Sequence, residues 1–254
     1  MNRAKAFLWH LSISLIIFFI VAYFILFLWY PDFYFYTDGG IEGIKLVAGV
    51  DLVLGPVLTL CVFKKGKPGL KRDLTLIGLL QFSCLAMGLY LIYDERPVAV
   101  IYSDRQIYSV PYELFNMFEK DASLLSEFPG PFPKLIYVDF GTDEEHLSYV
   151  RRKQHRDGLM QYRTDLYKPY KQFTSTVIDW AISTEELKTR HSHKKAFIDD
   201  WIANEGYTPD SVKFVNFSGR YRWGYMAINA KTGAYINVLA KHEVRMPAKV
   251  TTKQ

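Results

Sequence analysis

The chain has 254 residues, half of them apolar, with 18 Tyr, 18 Phe and a net charge of +5. The first 93 residues hold eight Lys/Arg and five Asp/Glu, and the rest hold 23 and 21. So small an excess over residues 94–254 argues against nucleic acid as a partner. Both cysteines, Cys61 and Cys84, fall in apolar stretches, so the second part has neither a disulfide framework nor a cysteine-based metal site.

Three apolar runs come first, at residues 6–30, 41–63 and 74–93. Each reaches the roughly 20 helical residues that cross a bilayer core of ~30 Å. Arg3 and Lys5 precede the first run, as in a signal peptide. The run is too long for a signal, however, and no small-x-small cleavage site follows, so it is expected to be retained. Trp9, Trp29 and Tyr30 lie near its ends as interface anchors. The linker 31–40 has no Lys or Arg, whereas residues 64–73 carry five. Basic residues in short loops stay on the cytoplasmic side. The N-terminus is therefore expected in the cytoplasm and residues 94–254 in the periplasm, as an α+β domain.

Within 94–254, residues 98–103 and 106–110 read as strands joined by a turn at Asp104-Arg105. A short helix is predicted at 112–120, a loop at 128–133 and a strand at 134–140. Thr142-x-x-Glu145 is a capping box that opens a helix to about Asp157. A two-piece helix is predicted at 184–204, and strands at 212–217, 222–229 and 234–239, the last two joined by a turn at 230–233. The tail after Pro247 reads as polar and loose.

This part shows no catalytic constellation. HExxH, GxSxG, GxxxxGK and CxxC are all missing from the sequence. His191 and His193, two residues apart, do not share a helix face, and neither do His146 and His155, nine apart. Asp143, Glu144 and Glu145 suit a helix N-terminus, and Asp199-Asp200 suits a solvated face. The run Arg220-Tyr-Arg-Trp223 mixes basic and aromatic residues as a nucleic-acid or glycan site would, but equally fits a strand with one exposed face. No catalytic residue, metal ligand or cofactor is expected.

The informative residues lie inside the second run. Asp51 stands ~15 Å from its outer end at ~1.5 Å per residue. A carboxylate there costs at least ~2.5 kcal/mol on insertion scales. Pro56 follows and, in an α-helix, leaves the carbonyl of Leu52 without its usual donor. Ala48, Asp51 and Gly55 form a small-residue stripe that lets another helix approach closely. The third run has its own stripe of Gly78, Gln81 and Gly88, with Gln81 ~11 Å from the inner end, and Ser12 and Ser14 of the first run lie at a similar level. The face made by Ala48, Asp51, Gly55, Pro56 and Gln81 has two main readings. It is a helix-packing contact within the chain, or it receives a helix of another protein. Proton or ion conduction is the poorest fit, because one carboxylate has no relay.

The pattern Trp29-Tyr30-Pro31, Gly39-Gly40, Gly49-Val-Asp51-Leu-Val-Leu-Gly55-Pro56, Lys67-Pro-Gly-Leu-Lys71 and Asp73-Leu74 resembles the TfpX/TfpZ family of type IV pilin accessory proteins. The resemblance is dense over residues 1–100 and rests on general layout beyond. It implies a non-enzymatic, chaperone-like protein of a Gram-negative inner membrane that assists its cognate pilin, and it carries over no catalytic residue. The partners it implies are a type IV pilin subunit, the lipid bilayer and, further on, the pilus assembly machinery. The competing readings are a membrane enzyme acting on pilin or on a lipid-linked sugar, and a sensor or transporter subunit. The enzyme lacks an acid–base or metal constellation, and the third lacks a cytoplasmic receiver or a polar conduit.

Overall fold

The computed structural model describes residues 2–141 and 163–240, together with 144, 148 and 161. The helix expected from Thr142, with His146 and His155, and the tail with His242 lie outside the described residues. The chain divides into two compact units, Met1–Arg96 and Pro97–Gln254.

The first unit holds three helices long and apolar enough to span a bilayer: α1 (Arg3–Trp29), α2 (Gly40–Val62) and α3 (Leu70–Asp94). Asn2 caps α1 by accepting from the Lys5 N–H at 2.9 Å. Its last six residues, Phe24–Trp29, open into a π-helix. There Ile25 O accepts from Tyr30 N, five residues on, at 2.9 Å. One turn, Tyr34–Thr37, lies between α1 and α2. Gly39, at φ 113°, reverses the chain into α2. The third helix starts four residues before the apolar run, because Gly69 at φ 80° sets the turn and Lys71 and Arg72 join the first helical turn.

The helices meet through small residues and a few polar pins. Arg3 Nε donates to the Phe63 carbonyl at 2.7 Å, closing the C-terminal end of α2. At the other end Tyr30, almost fully buried, donates its hydroxyl to Ile92 O at 2.7 Å. A Cβ at Gly43 would lie 3.1 Å from Ile92, and one at Gly88 would lie 3.6 Å from Leu46, so these glycines mark close approaches of α2 and α3.

The second unit is an α+β fold on one mixed sheet. Its elements are β1 (Pro97–Ser103), β2 (Gln106–Pro111), α4 (Tyr112–Met117), β3 (Lys134–Val138), β4 (Tyr167–Pro169), α5 (Thr174–Trp180), β5 (Ile182–Ser183), α6 (Thr184–Arg190), α7 (Lys195–Asn204), β6 (Val212–Ser218), β7 (Trp223–Asn229) and β8 (Tyr235–Ala240). Strand order is β4-β3-β1-β2-β6-β7-β8, with β5 paired to β6. The β1–β3 and β2–β6 pairs are parallel; the others are antiparallel. Asp104 and Arg105 both take positive φ, 51° and 61°, as a two-residue hairpin loop requires. The strain at Arg105 is offset by its guanidinium, 3.3 Å over the Trp180 ring.

Two apolar clusters hold this unit. Ile101, Val110, Phe115, Leu125 and Ile136 pack under β1–β3. Leu187, Ile198, Ile202, Phe214 and Leu239 pack α6 and α7 onto β6–β8. Each such side chain contributes roughly 1.5–3 kcal/mol on burial. Ser183 caps α6 by accepting from Glu186 N at 3.1 Å. The Arg220–Trp223 run is not a continuous strand face. Residues 219–222 form the β6–β7 turn, and β7 begins at Trp223.

Candidate functional site: a polar cluster within the three helices

The backbone of α2 departs from α-helical bonding over Gly49–Leu54, which is a π-helix. The Gly55 N–H reaches back five residues to Val50 O. The next donor in that frame would be Pro56, facing the Asp51 carbonyl, and proline has no N–H. The vacated acceptor is therefore Asp51 O rather than the Leu52 carbonyl that α-helical counting predicts. Gln81 of α3 supplies the missing donor: its Nε2 lies 3.4 Å from Asp51 O and 3.2 Å from Asp51 Oδ1. The wider π turn also breaks the three-four-seven spacing. Asp51, Gly55 and Pro56 are buried, whereas Ala48 is only half-buried.

Gly55 makes room for this contact. A Cβ there would collide with the Gln81 amide. Of the third-helix stripe, Gln81 and Gly88 pack inward, while Gly78 is exposed and a Cβ there would meet open space.

The cluster continues into α1. Gln81 Oε1 lies 2.8 Å from His10 Nε2, and His10 Nδ1 lies 2.6 Å from Thr59 Oγ1. Gln81 Oε1 only accepts, so His10 Nε2 donates, and in the neutral ring Nδ1 takes the Thr59 proton. Gln81 Nε2 also lies 3.5 Å from Ser14 Oγ. One polar chain, Thr59–His10–Gln81–Asp51, thus links all three helices. Asp51 is only 2% exposed, and its Oδ2 has no hydrogen-bond partner among the described residues. Chemically the arrangement is a set of interhelical hydrogen bonds, each worth about 0.6–2 kcal/mol in a membrane. Of the face named from the sequence, Gln81 of α3 meets Asp51 and Gly55 of α2.

His10 and Thr59 escaped the sequence reading, although a signal was there. His10 and Ser14 are four apart, and Asp51, Gly55 and Thr59 are spaced by four, so each set shares a helix face. In the second unit, His191 Nε2 lies 3.0 Å from the Tyr225 hydroxyl and His193 is exposed.

Residues 1–37 match the family described as fimbrial assembly protein FimB. The fimbrial assembly protein of serogroups C1 and C2 of Dichelobacter nodosus is 32% identical over 123 residues, which are 47% of this chain and 87% of that protein. The chain belongs to the fimbrial assembly protein family. Two further relatives from the same organism, the fimbrial assembly proteins of serogroups E1 and I, are 30% and 32% identical over 145 residues. Those matches cover 56% of this chain and 52% of each relative, so the chain spans about half the length of these two. No solved structure matches it. The pilus-accessory family that the motifs resemble and the expected three-helix-plus-α+β architecture are both borne out.

Proposed function

We propose that this chain is a non-enzymatic accessory protein of the bacterial inner membrane that binds type IV pilin subunits and promotes their assembly. The observation that carries this reading is the 32% identity to a fimbrial assembly protein over 87% of that protein's length. The three apolar helices support residence in a bilayer. The basic residues of the N-terminus and of 64–72 favour a cytoplasmic N-terminus and a periplasmic second unit. In this reading the Asp51–Gln81–His10–Thr59 cluster locks the three helices into one arrangement, and Ala48, Asp51, Gly55 and Pro56 form a packing face within the chain. Pilin, a single apolar helix with an external head as the family resemblance implies, lies against the lipid-facing surface, where Phe19 and Phe27 are exposed. The second unit reads the head. The test is deletion with complementation. Surface pili fall in the deletion strain while the pilin pool is unchanged, and the wild-type gene restores them. Unchanged piliation contradicts the proposal.

A further inference from the structure

The two ends of the soluble sheet differ in chemistry. The chain enters β1 at Pro97, directly after the last residue of the membrane unit. Strand pairing fixes what else lies at that end. Pro97 sits opposite Pro111. β2 runs parallel to β6 with Tyr108 beside Ser218, so the turn 219–222 follows near the level of Pro111. An ion pair from Arg220 Nη1 to Glu113 Oε2, 2.9 Å, holds the turn there. β3 runs parallel to β1 with Lys134 beside Ala99, which brings the loop 128–133 to the same end. Lys134 Nζ fixes that loop by donating to the carbonyls of Phe128 at 2.9 Å and Gly130 at 2.5 Å.

These two loops and the first residue of β7 present exposed aromatic rings: Phe132 (52%), with Lys134 Nζ 4.8 Å from its centroid, Tyr221 (44%) and Trp223 (53%). Arg220 and Arg222 flank Tyr221. The loops stand about three strand spacings, ~14 Å, apart. At the opposite end, the turn 230–233 exposes Lys231 and Thr232, and Trp180 has one face covered by Arg105. Tyrosine and tryptophan favour the water–lipid boundary, where the ring lies at headgroup level, and arginine pairs with phosphate. The same chemistry marks the end of α3. The Trp29 and Tyr93 rings meet at 5.4 Å, and the Arg96 guanidinium lies 3.6 Å over Tyr93.

We propose that the end of the soluble sheet bearing Phe132, Tyr221 and Trp223 rests in the phospholipid headgroup layer of the leaflet from which α3 emerges, with Arg222 on lipid phosphate. The covalent join at Pro97 keeps this end within a few residues of the bilayer surface, and the rings and arginines suit that surface. The partner is lipid, and the reading holds whichever side of the membrane the second unit occupies.

The test uses the full chain carrying Cys61→Ser and Cys84→Ser, with one nitroxide label at Gly219→Cys, Pro131→Cys or Lys231→Cys. It is reconstituted in vesicles of phosphatidylethanolamine and phosphatidylglycerol. Labels at 219 and 131 should collide with dissolved oxygen severalfold more, relative to a water-soluble nickel chelate, than the label at 231. Tyr221→Ser with Trp223→Ser should abolish that difference at 219. Equal nickel access at all three sites overturns the proposal, as does a difference that survives the double substitution. Protection that appears only when a protein partner such as pilin is added also overturns it, and assigns the rings to protein docking. If one label prevents folding, the other site on the same end decides between these outcomes.

Discussion

Gln81 holds Asp51 at two atoms, with its amide nitrogen 3.2 Å from the carboxylate and 3.4 Å from the same residue's carbonyl. The second contact exists because the π turn aligns Asp51 O with a proline in place of a donor. A local backbone irregularity in α2 is thereby repaired by α3, and through His10 the repair extends to α1.

Gly55 and Gln81 should therefore behave as one unit. Gly55→Ala pushes the Gln81 amide out of place, and Gln81→Ala removes it. Each should cost about 1–3 kcal/mol, the penalty for orphaned buried polar groups. The double variant should be no less stable than Gln81→Ala alone, a non-additivity expected of residues in contact. Unfolding of the three proteins in one detergent measures it.

Histidines should separate by position. His10→Ala strands Thr59 and Gln81 and should lower accumulation in the membrane, whereas exposed His193→Ala should leave accumulation and piliation near normal. Immunoblots of membrane fractions and counts of surface pili read both. His191→Ala removes the partly buried hydrogen bond with Tyr225, for which about 0.5–1.5 kcal/mol is expected, a typical net hydrogen bond.

Much of this architecture was legible because long apolar runs and alternating strands are local signals. The three spans and the strands of 98–110 and 212–239 follow from hydropathy and turn residues alone. Asp51, Gly55, Pro56 and Gln81 could be picked out as chemically odd in an apolar setting. What could not be read was the π turn, since it depends on Gln81 arriving from another helix to satisfy Asp51 O. Ala48 is less buried than Asp51, Gly55 and Pro56, because the stripe assumes α-helical spacing that the π turn does not keep. The short β4 and β5 and the helix α5 carry too few residues for periodicity to show, and the two strands form through tertiary pairing with β3 and β6.

Alkaline pH should unfold the second unit in a defined direction. Burial pushes the hydroxyls of Tyr102, Tyr137 and Tyr170 above the ordinary tyrosine range. Tyr102 stacks on Tyr137, and Tyr137 on Phe173. Raised folded-state values mean that the unfolded chain loses these protons first. Their contribution is full below about pH 10, the unfolded tyrosine value, and is lost as pH climbs through the folded values. Tyrosinate absorbance and circular dichroism followed together should show these tyrosines ionising only as secondary structure disappears. Ionisation of every tyrosine before any unfolding would contradict this.

Orientation is open to a direct check. Alkaline phosphatase fused after Glu95 should be active and fused after Lys67 inactive, because the enzyme works only outside the cytoplasm. The reverse pattern would place the second unit in the cytoplasm and rule out its contact with an external pilin head.

The proposed binding of pilin within the membrane can be tested on the native protein. The most direct measurement is crosslinking in native membranes through cysteines on the lipid-facing surface of α1, such as Phe19→Cys and Phe27→Cys, and on the second unit, followed by purification and identification of partners. Pilin should be recovered as a crosslinked partner of both units, with recovery reduced when Gln81→Ala loosens the helices. A stable, correctly inserted protein that recovers no pilin from any of these positions would contradict it.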